Sequence, residues 1–221
     1  LIVKKFLASL ILGAAACCGL MSPAGALELA PSATANATED GGYYPGGLGG
    51  LFLTINWQAG NHNIGLLQFD VSSLSPGSVS LAVLDLYHLY NDGTGAQFGI
   101  FRNTSAWVGV TTDYSSRPGT DALPSATLAI ADGSQGLHRT VDVTALVQGW
   151  VNGDYANYGM TVNRLDNSNP FVYFGSGSNA DFPDATPMLI IRAVPEPEAI
   201  VLMLAGLAVL AGVTYRRRRP V

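Results

Sequence analysis

The chain has 221 residues, 48% of them hydrophobic and only 12% charged, with a formal net charge of −5. Residues 27–193 hold five Arg, no Lys and fourteen acidic residues, a net charge of −9; such a surface repels phosphates and excludes nucleic acid as a partner. Both cysteines, Cys17 and Cys18, lie outside that segment, so packing and sheet hydrogen bonds rather than disulfides must hold it together.

In chain order, the first element is a targeting segment. Lys4 and Lys5 precede eleven apolar residues, 6–16, and Ala24-Gly25-Ala26 follows. This order of positive, apolar and small residues predicts a signal peptide over 1–26, with Ala24 and Ala26 at the positions a signal peptidase reads. The apolar run is too short for a bilayer core, which needs about 20 residues. Ala14-Ala15-Ala16-Cys17 offers a rival reading, acylation of Cys17, but lacks the usual Leu three residues before the Cys.

The segment 27–193 is long enough for one domain with its own core. Short apolar runs alternate with Gly, Ser, Asn and Asp, the pattern of an all-β sandwich. Strands are predicted over 51–56, 65–71, 79–90, 98–102, 137–143, 159–163, 171–175 and 188–193. In 79–90, Ala82, Leu84 and Leu86 share one face and Val83, Asp85 and Tyr87 the other. His88 falls on the Ala82 face and is expected to be an inner, hydrogen-bonded residue rather than a ligand. Asn91-Asp92-Gly93, Asp132-Gly133 and Asn152-Gly153 are turn signals. One short helix is predicted from Thr144 to Trp150, with Thr144 as N-cap, Leu146, Val147 and Trp150 on one face, and Gly153 as its stop.

The tail has three unlike parts. Pro195-Glu196-Pro197-Glu198 resists both helix and sheet; residues 199–215 are almost wholly apolar; Arg216, Arg217, Arg218 and Arg219 follow. Seventeen helical residues reach about 25 Å, enough for a bilayer once Tyr215 and the Arg side chains extend to its interface. The Arg cluster belongs on the cytoplasmic side, which puts the body across the membrane. This order closely resembles the PEP-CTERM sorting signal over 194–221. The resemblance implies processing by an exosortase-type enzyme and export across the inner membrane of a Gram-negative bacterium, to the envelope, surface or extracellular matrix. Such bacteria typically make exopolysaccharide and biofilm.

A second resemblance lies in the body. Leu66-Leu67-Gln68-Phe69-Asp70-Val71-Ser72-Ser73-Leu74, the strand 81–87, Thr140-Val141-Asp142-Val143-Thr144-Ala145-Leu146-Val147-Gln148-Gly149-Trp150, Asn157-Tyr158-Gly159-Met160 and Pro187-Met188-Leu189-Ile190 occur in the order seen in DNRLRE-type domains. That family implies a jelly-roll β-sandwich similar to carbohydrate-binding modules. The chain departs from it at Gln68, where Arg is common, and at Val108-Gly109, which replace an acid after Trp107.

No motif for a nucleophile elbow, a metalloprotease or a phosphate loop is present, and the expectation is a non-catalytic protein. Sugar binding requires aromatic faces beside planar polar groups. Three sets qualify: Trp57 with Asn61 and His62; Trp107 with Tyr114 and Arg117; and Tyr155 with Tyr158. Structural calcium is a candidate cofactor, with Glu39, Asp40 and Asp142 among the oxygen ligands. Three functions stay in play: a surface protein binding extracellular polysaccharide, a structural envelope protein binding other proteins, and a hydrolase of extracellular polysaccharide working through a carboxylate pair.

Overall fold

The alternation read in residues 79–90 is realised in full. Ala82, Leu84, Leu86 and His88 are completely buried, while Val83, Asp85 and Tyr87 are only partly covered. In the computed structural model of the chain, the described residues are 26–39, 43–45, 52–55, 62–91, 95–109, 112–166, 171–176, 185–194, 203–208 and 210. The strands are β1 (Leu27–Leu29), β2 (Ala33–Thr38), β3 (Tyr43–Pro45), β4 (Phe52–Ile55), β5 (Asn63–Gln68), β6 (Val79–Asn91), β7 (Ala96–Arg102), β8 (Ala126–Ile130), β9 (Leu137–Asp142), β10 (Met160–Arg164), β11 (Val172–Gly175) and β12 (Met188–Ala193).

They form two six-stranded antiparallel sheets. Sheet A runs β1-β12-β6-β11-β4, with β9 on the other edge of β6; sheet B runs β3-β2-β5-β10-β7-β8. β6 is long enough to serve β12 over Val79–Asp85 and β11 over His88–Asn91 on one edge, and β9 on the other. From β4 onward the chain repeatedly crosses between sheets, the wiring of a jelly-roll sandwich.

The inner faces meet in one core. Phe98 and Ile100 of β7 and Met160 and Val162 of β10 face Leu84 and Leu86 of β6 and Phe174 of β11. Phe98 and Phe174 make an edge-to-face pair across the sheets, centroids 5.6 Å apart at 78°, the arrangement favoured by the ring quadrupoles. Burying each such ring contributes about 1.5–3 kcal/mol.

Helix α1 (Thr144–Asn152) buries Leu146, Val147 and Trp150 against this core, as its spacing predicts. Gly153 ends it in the left-handed conformation, φ 78°, where a Cβ would be penalised. Its start differs from expectation. Thr144 is the first helical residue and Val143 the cap. The Thr144 hydroxyl turns instead to β6, accepting the Ala82 N–H at 2.9 Å, while the Asp142 carboxylate accepts the Thr144 N–H at 2.8 Å. The hydroxyl thus satisfies a donor of β6, 62 residues away along the chain.

Residues Leu27–Glu196 form one compact unit, and Leu1–Ala26 with Pro197–Val221 are assigned to a second. Residues 203–208 and Leu210, within the predicted apolar stretch 199–215, are helical. Among the described residues no helix is long and apolar enough to cross a membrane. Ala24, Pro195, Glu196, Pro197 and the four tail arginines lie outside the described residues; Ala26 is exposed and directly precedes β1.

Candidate functional site

The connection between β7 and β8 lies over the outer face of sheet B. Beneath it Ala35, Ala37, Ile64 and Leu66 form a second buried cluster, packed against Trp107 and Tyr114. Polar contacts fasten this connection. At its ends Arg102 and Asp121 make a two-pronged ion pair, at 2.8 and 2.7 Å, a geometry matched to the guanidinium fork. The Asn103 side chain is fully buried, donating to Tyr158 O at 3.0 Å and accepting from Thr161 Oγ1 at 2.6 Å.

His62 of the first predicted set meets Tyr114 of the second here. Tyr114 Oη lies 2.5 Å from His62 Nδ1, and His62 Nε2 lies 2.9 Å from Asn163 Oδ1. Burial lowers the His62 pKa against the opposing pull of the Asn163 hydrogen bond and of Glu39, and burial likewise raises that of Tyr114. A neutral imidazole and a protonated phenol assign the donors: Tyr114 O–H to Nδ1, and Nε2–H to Asn163. The Arg117 guanidinium stacks 3.8 Å above the Tyr114 ring and donates to the Tyr114 carbonyl at 2.5 Å. Asp113, beside it, accepts from the Ser115 hydroxyl and from both the hydroxyl and the backbone N–H of Ser116, which hold its pKa down to about 2.

The other aromatics are also engaged. Trp107 donates its indole N–H to Tyr158 O at 2.8 Å, so Tyr158 enters through its backbone. Tyr155 stands apart from this cluster: its hydroxyl donates to Leu146 O at 3.1 Å, its ring lies over Gly149 of α1, and Arg102 covers it at 4.3 Å. Trp57 and Asn61 lie outside the described residues, as does Asp40. Of the remaining oxygen ligands, Glu39 accepts the His62 backbone N–H at 3.3 Å in sheet B, and Asp142 belongs to β9 in sheet A. Among the described residues no three His, Cys, Asp or Glu side chains gather as a metal site.

Two features were not singled out from the sequence. A cavity of about 560 Å³ opens beside α1, lined by Ser32, Gln68, Asp70, Ser72, Trp150 and Asn157 among others. Its parts come from four separate stretches of chain, so only the fold collects them. The second is a set of rings on the outer face of sheet A, around Tyr87, Tyr90 and Tyr173. For Tyr87 the signal was present, since it falls on the non-core parity of its strand; Tyr90 falls on the core parity.

A cysteine-free jelly-roll sandwich with aromatic and amide side chains around its periphery belongs to the class of β-sandwich binding modules. A family model for carbohydrate-binding module family 96 matches residues 46–193, and one for the PEP-CTERM protein-sorting motif matches residues 193–219. The chain belongs to carbohydrate-binding module family 96 and carries a PEP-CTERM sorting motif, which marks an exported protein of a Gram-negative bacterium, processed by an exosortase-type enzyme. No curated protein matches it.

Proposed function

We propose that this chain is a non-catalytic surface protein that attaches to, or is retained in, the exopolysaccharide layer by weak binding of sugar through its sandwich body. The observation that carries this reading is the family match over 46–193, which contains all of β4 to β12 and runs directly into the sorting motif. The binding machinery and the export address thus occupy one short chain. The proposed domain scheme is a signal peptide over 1–26, the module over 27–193 and the sorting tail over 194–221. Intact-mass analysis of the protein recovered from the cell surface or medium tests both processing points.

The proposed sugar contacts are Trp57 and Asn61, five residues and one residue before His62 in sequence, together with the exposed guanidinium of Arg117. The rings of Trp107, Tyr114 and Tyr155 support this surface by holding the β7–β8 connection and α1 in place. Affinity electrophoresis in gels containing the producing cell's exopolysaccharide tests the reading: the chain is retarded, and Trp57→Ala runs as in a plain gel. Equal migration of wild type with and without polysaccharide refutes it. For calcium, the proposed ligands reduce to Glu39 with Asp40, since Asp142 lies on the other sheet. A melting temperature that rises with added calcium, and ceases to do so in Glu39→Gln, is the corresponding test.

A further inference from the structure

The chain enters and leaves the sandwich body side by side. β1 begins at Leu27 and pairs antiparallel with β12, with Leu27 opposite Ile191, three residues short of Val194, where β12 has ended. At about 3.3 Å per residue, three residues are about 10 Å along the strand. Val194 is itself fastened: its N–H donates to Ser78 O at 2.7 Å, beside the start of β6. The β5–β6 connection and the end of α1 share this end of sheet A. Asn152 Oδ1 accepts the Gly77 N–H at 2.8 Å, and the Gln148 side chain donates to Val79 O at 3.0 Å.

The thirteen residues of β6 carry sheet A from Val79 to Asn91, about 40 Å at that rise. At the far end Asn91 pairs with Val172, and Val172 with Ile55. Sheet B follows. Ala96 comes after residues 92–95, and the register runs from Phe98 of β7 to Arg164 of β10, and from Val162 of β10 to Gly65 of β5, which puts Asn63 at this end too. Ile55 and His62, the described residues that bracket 56–61, therefore both lie at the end remote from the entry and exit of the chain.

Only residues 195–198 separate Val194 from Ala199, where the apolar stretch begins. Five fully extended steps reach at most about 18 Å, less than half the length of β6. Pro195 and Pro197 restrict how that tether bends. Charge acts in the same direction. A body carrying −9 and no Lys is repelled by an anionic lipid surface, which disfavours lying flat upon it.

With residues 199–215 taken as a membrane segment, as the sorting-tail reading has it, we infer that the body stands on the lipid surface by its β5–β6 and α1 end, with the Ile55–His62 end directed outward. Because entry and exit are adjacent, either hydrophobic end of the chain imposes the same orientation, so it holds before and after removal of residues 1–26. The sugar contacts proposed at Trp57 and Asn61 are thereby carried on the side away from the membrane.

Residues 27–193 contain no cysteine, so single labelling positions are clean once Cys17→Ser and Cys18→Ser are in place. The full chain carrying Ser73→Cys, exposed in the β5–β6 connection, or Ala131→Cys, exposed just after β8 at the far end, receives a fluorophore. It is then reconstituted into phosphatidylethanolamine–phosphatidylglycerol vesicles with an energy-transfer acceptor on the lipid headgroup. Ser75→Cys and Asp132→Cys, also exposed, form a second pair, and circular dichroism shows which variants are folded. The expected result is that the protein floats with the vesicles and that quenching is severalfold stronger at 73 and 75 than at 131 and 132. Equal quenching at the two ends, or stronger quenching at 131 and 132, overturns the orientation. Failure to float overturns the membrane segment and the orientation together. Polysaccharide enters none of these readouts, so each of those failures leaves the sugar-binding reading to its own test.

Discussion

Replacing Tyr114 by Phe removes one oxygen and tests what holds the β7–β8 connection down. His62 is 4% exposed; its Nε2 pairs with Asn163 and its Nδ1 accepts the Tyr114 hydroxyl. The Phe ring keeps the packing on the Ile64–Leu66 cluster and the stack beneath Arg117. What is lost is the partner of a buried acceptor, which costs about 1–3 kcal/mol; because Tyr114 is only half-buried, the lower half of that range applies. For a domain of this size each kcal/mol moves the melting temperature by about 2–4 °C. Urea denaturation at neutral pH should therefore show Tyr114→Phe less stable by about 1–2 kcal/mol, with an unchanged slope. Hydrogen exchange should locate the effect: the Thr104, Thr112 and Asp121 amides, bonded to Gly119 O, Val108 O and Arg102 O, exchange faster, while β6 amides change only with global stability. In a His62→Phe background the same substitution has no acceptor left to orphan, so a double-mutant cycle should return a coupling near 1 kcal/mol. A Tyr114→Phe protein within about 0.5 kcal/mol of wild type, or a coupling near zero, would refute the assignment of this bond as the pin, since neutral surface changes fall in that band.

Gly159 stands at φ +77°, and a Cβ there would lie 2.3 Å from Leu67 O; Gly159→Ala should cost about 3 kcal/mol or more, read as a lowered melting temperature or a loss of soluble protein. Phe174→Ala, which empties the ring between Phe98 and His88, should cost about 3–5 kcal/mol in urea denaturation. Thr144→Val leaves the Ala82 N–H without the oxygen now 2.9 Å away and should cost about 1–2 kcal/mol; the same assay returning a stabilised protein would contradict that role. Stability should also fall on acidification in two windows. Burial keeps the folded pKa values of His62 and His88 below the ordinary 6.5, so the unfolded chain takes up more protons and stability drops as pH falls from 6.5 towards the folded values. Asp113, held at about 2 against 3.8 by its serine donors, stabilises above 3.8 and loses that contribution as pH falls towards 2. A urea midpoint that rises between pH 7 and pH 5 would contradict the histidine assignment.

The strands that proved legible are those whose apolar residues keep a period of two. β6 and β12 match their predicted spans to within one residue, and α1 declared its buried face through Leu146, Val147 and Trp150. β1, β2, β3 and β8 went unread. β2 is Ala-Thr-Ala-Asn-Ala-Thr, with no bulky apolar residue to reveal its period; small residues suffice there because the β7–β8 connection presses down on them. Local sequence also marked His88 as an inner residue, and the order of unlike segments at the C-terminus as an export address, because each depends only on neighbours along the chain. The candidate surface does not. His62, Tyr114 and Asn163 come from three distant stretches and meet only because β5 and β10 are adjacent in sheet B and the long connection folds back across them. Tyr90 reaches the outer face of sheet A because of a bulge set by pairing with β11. Periodicity along a strand reports which side of a sheet a residue takes; strand pairing and bulges determine which other residues share that side, and that is where binding surfaces are made.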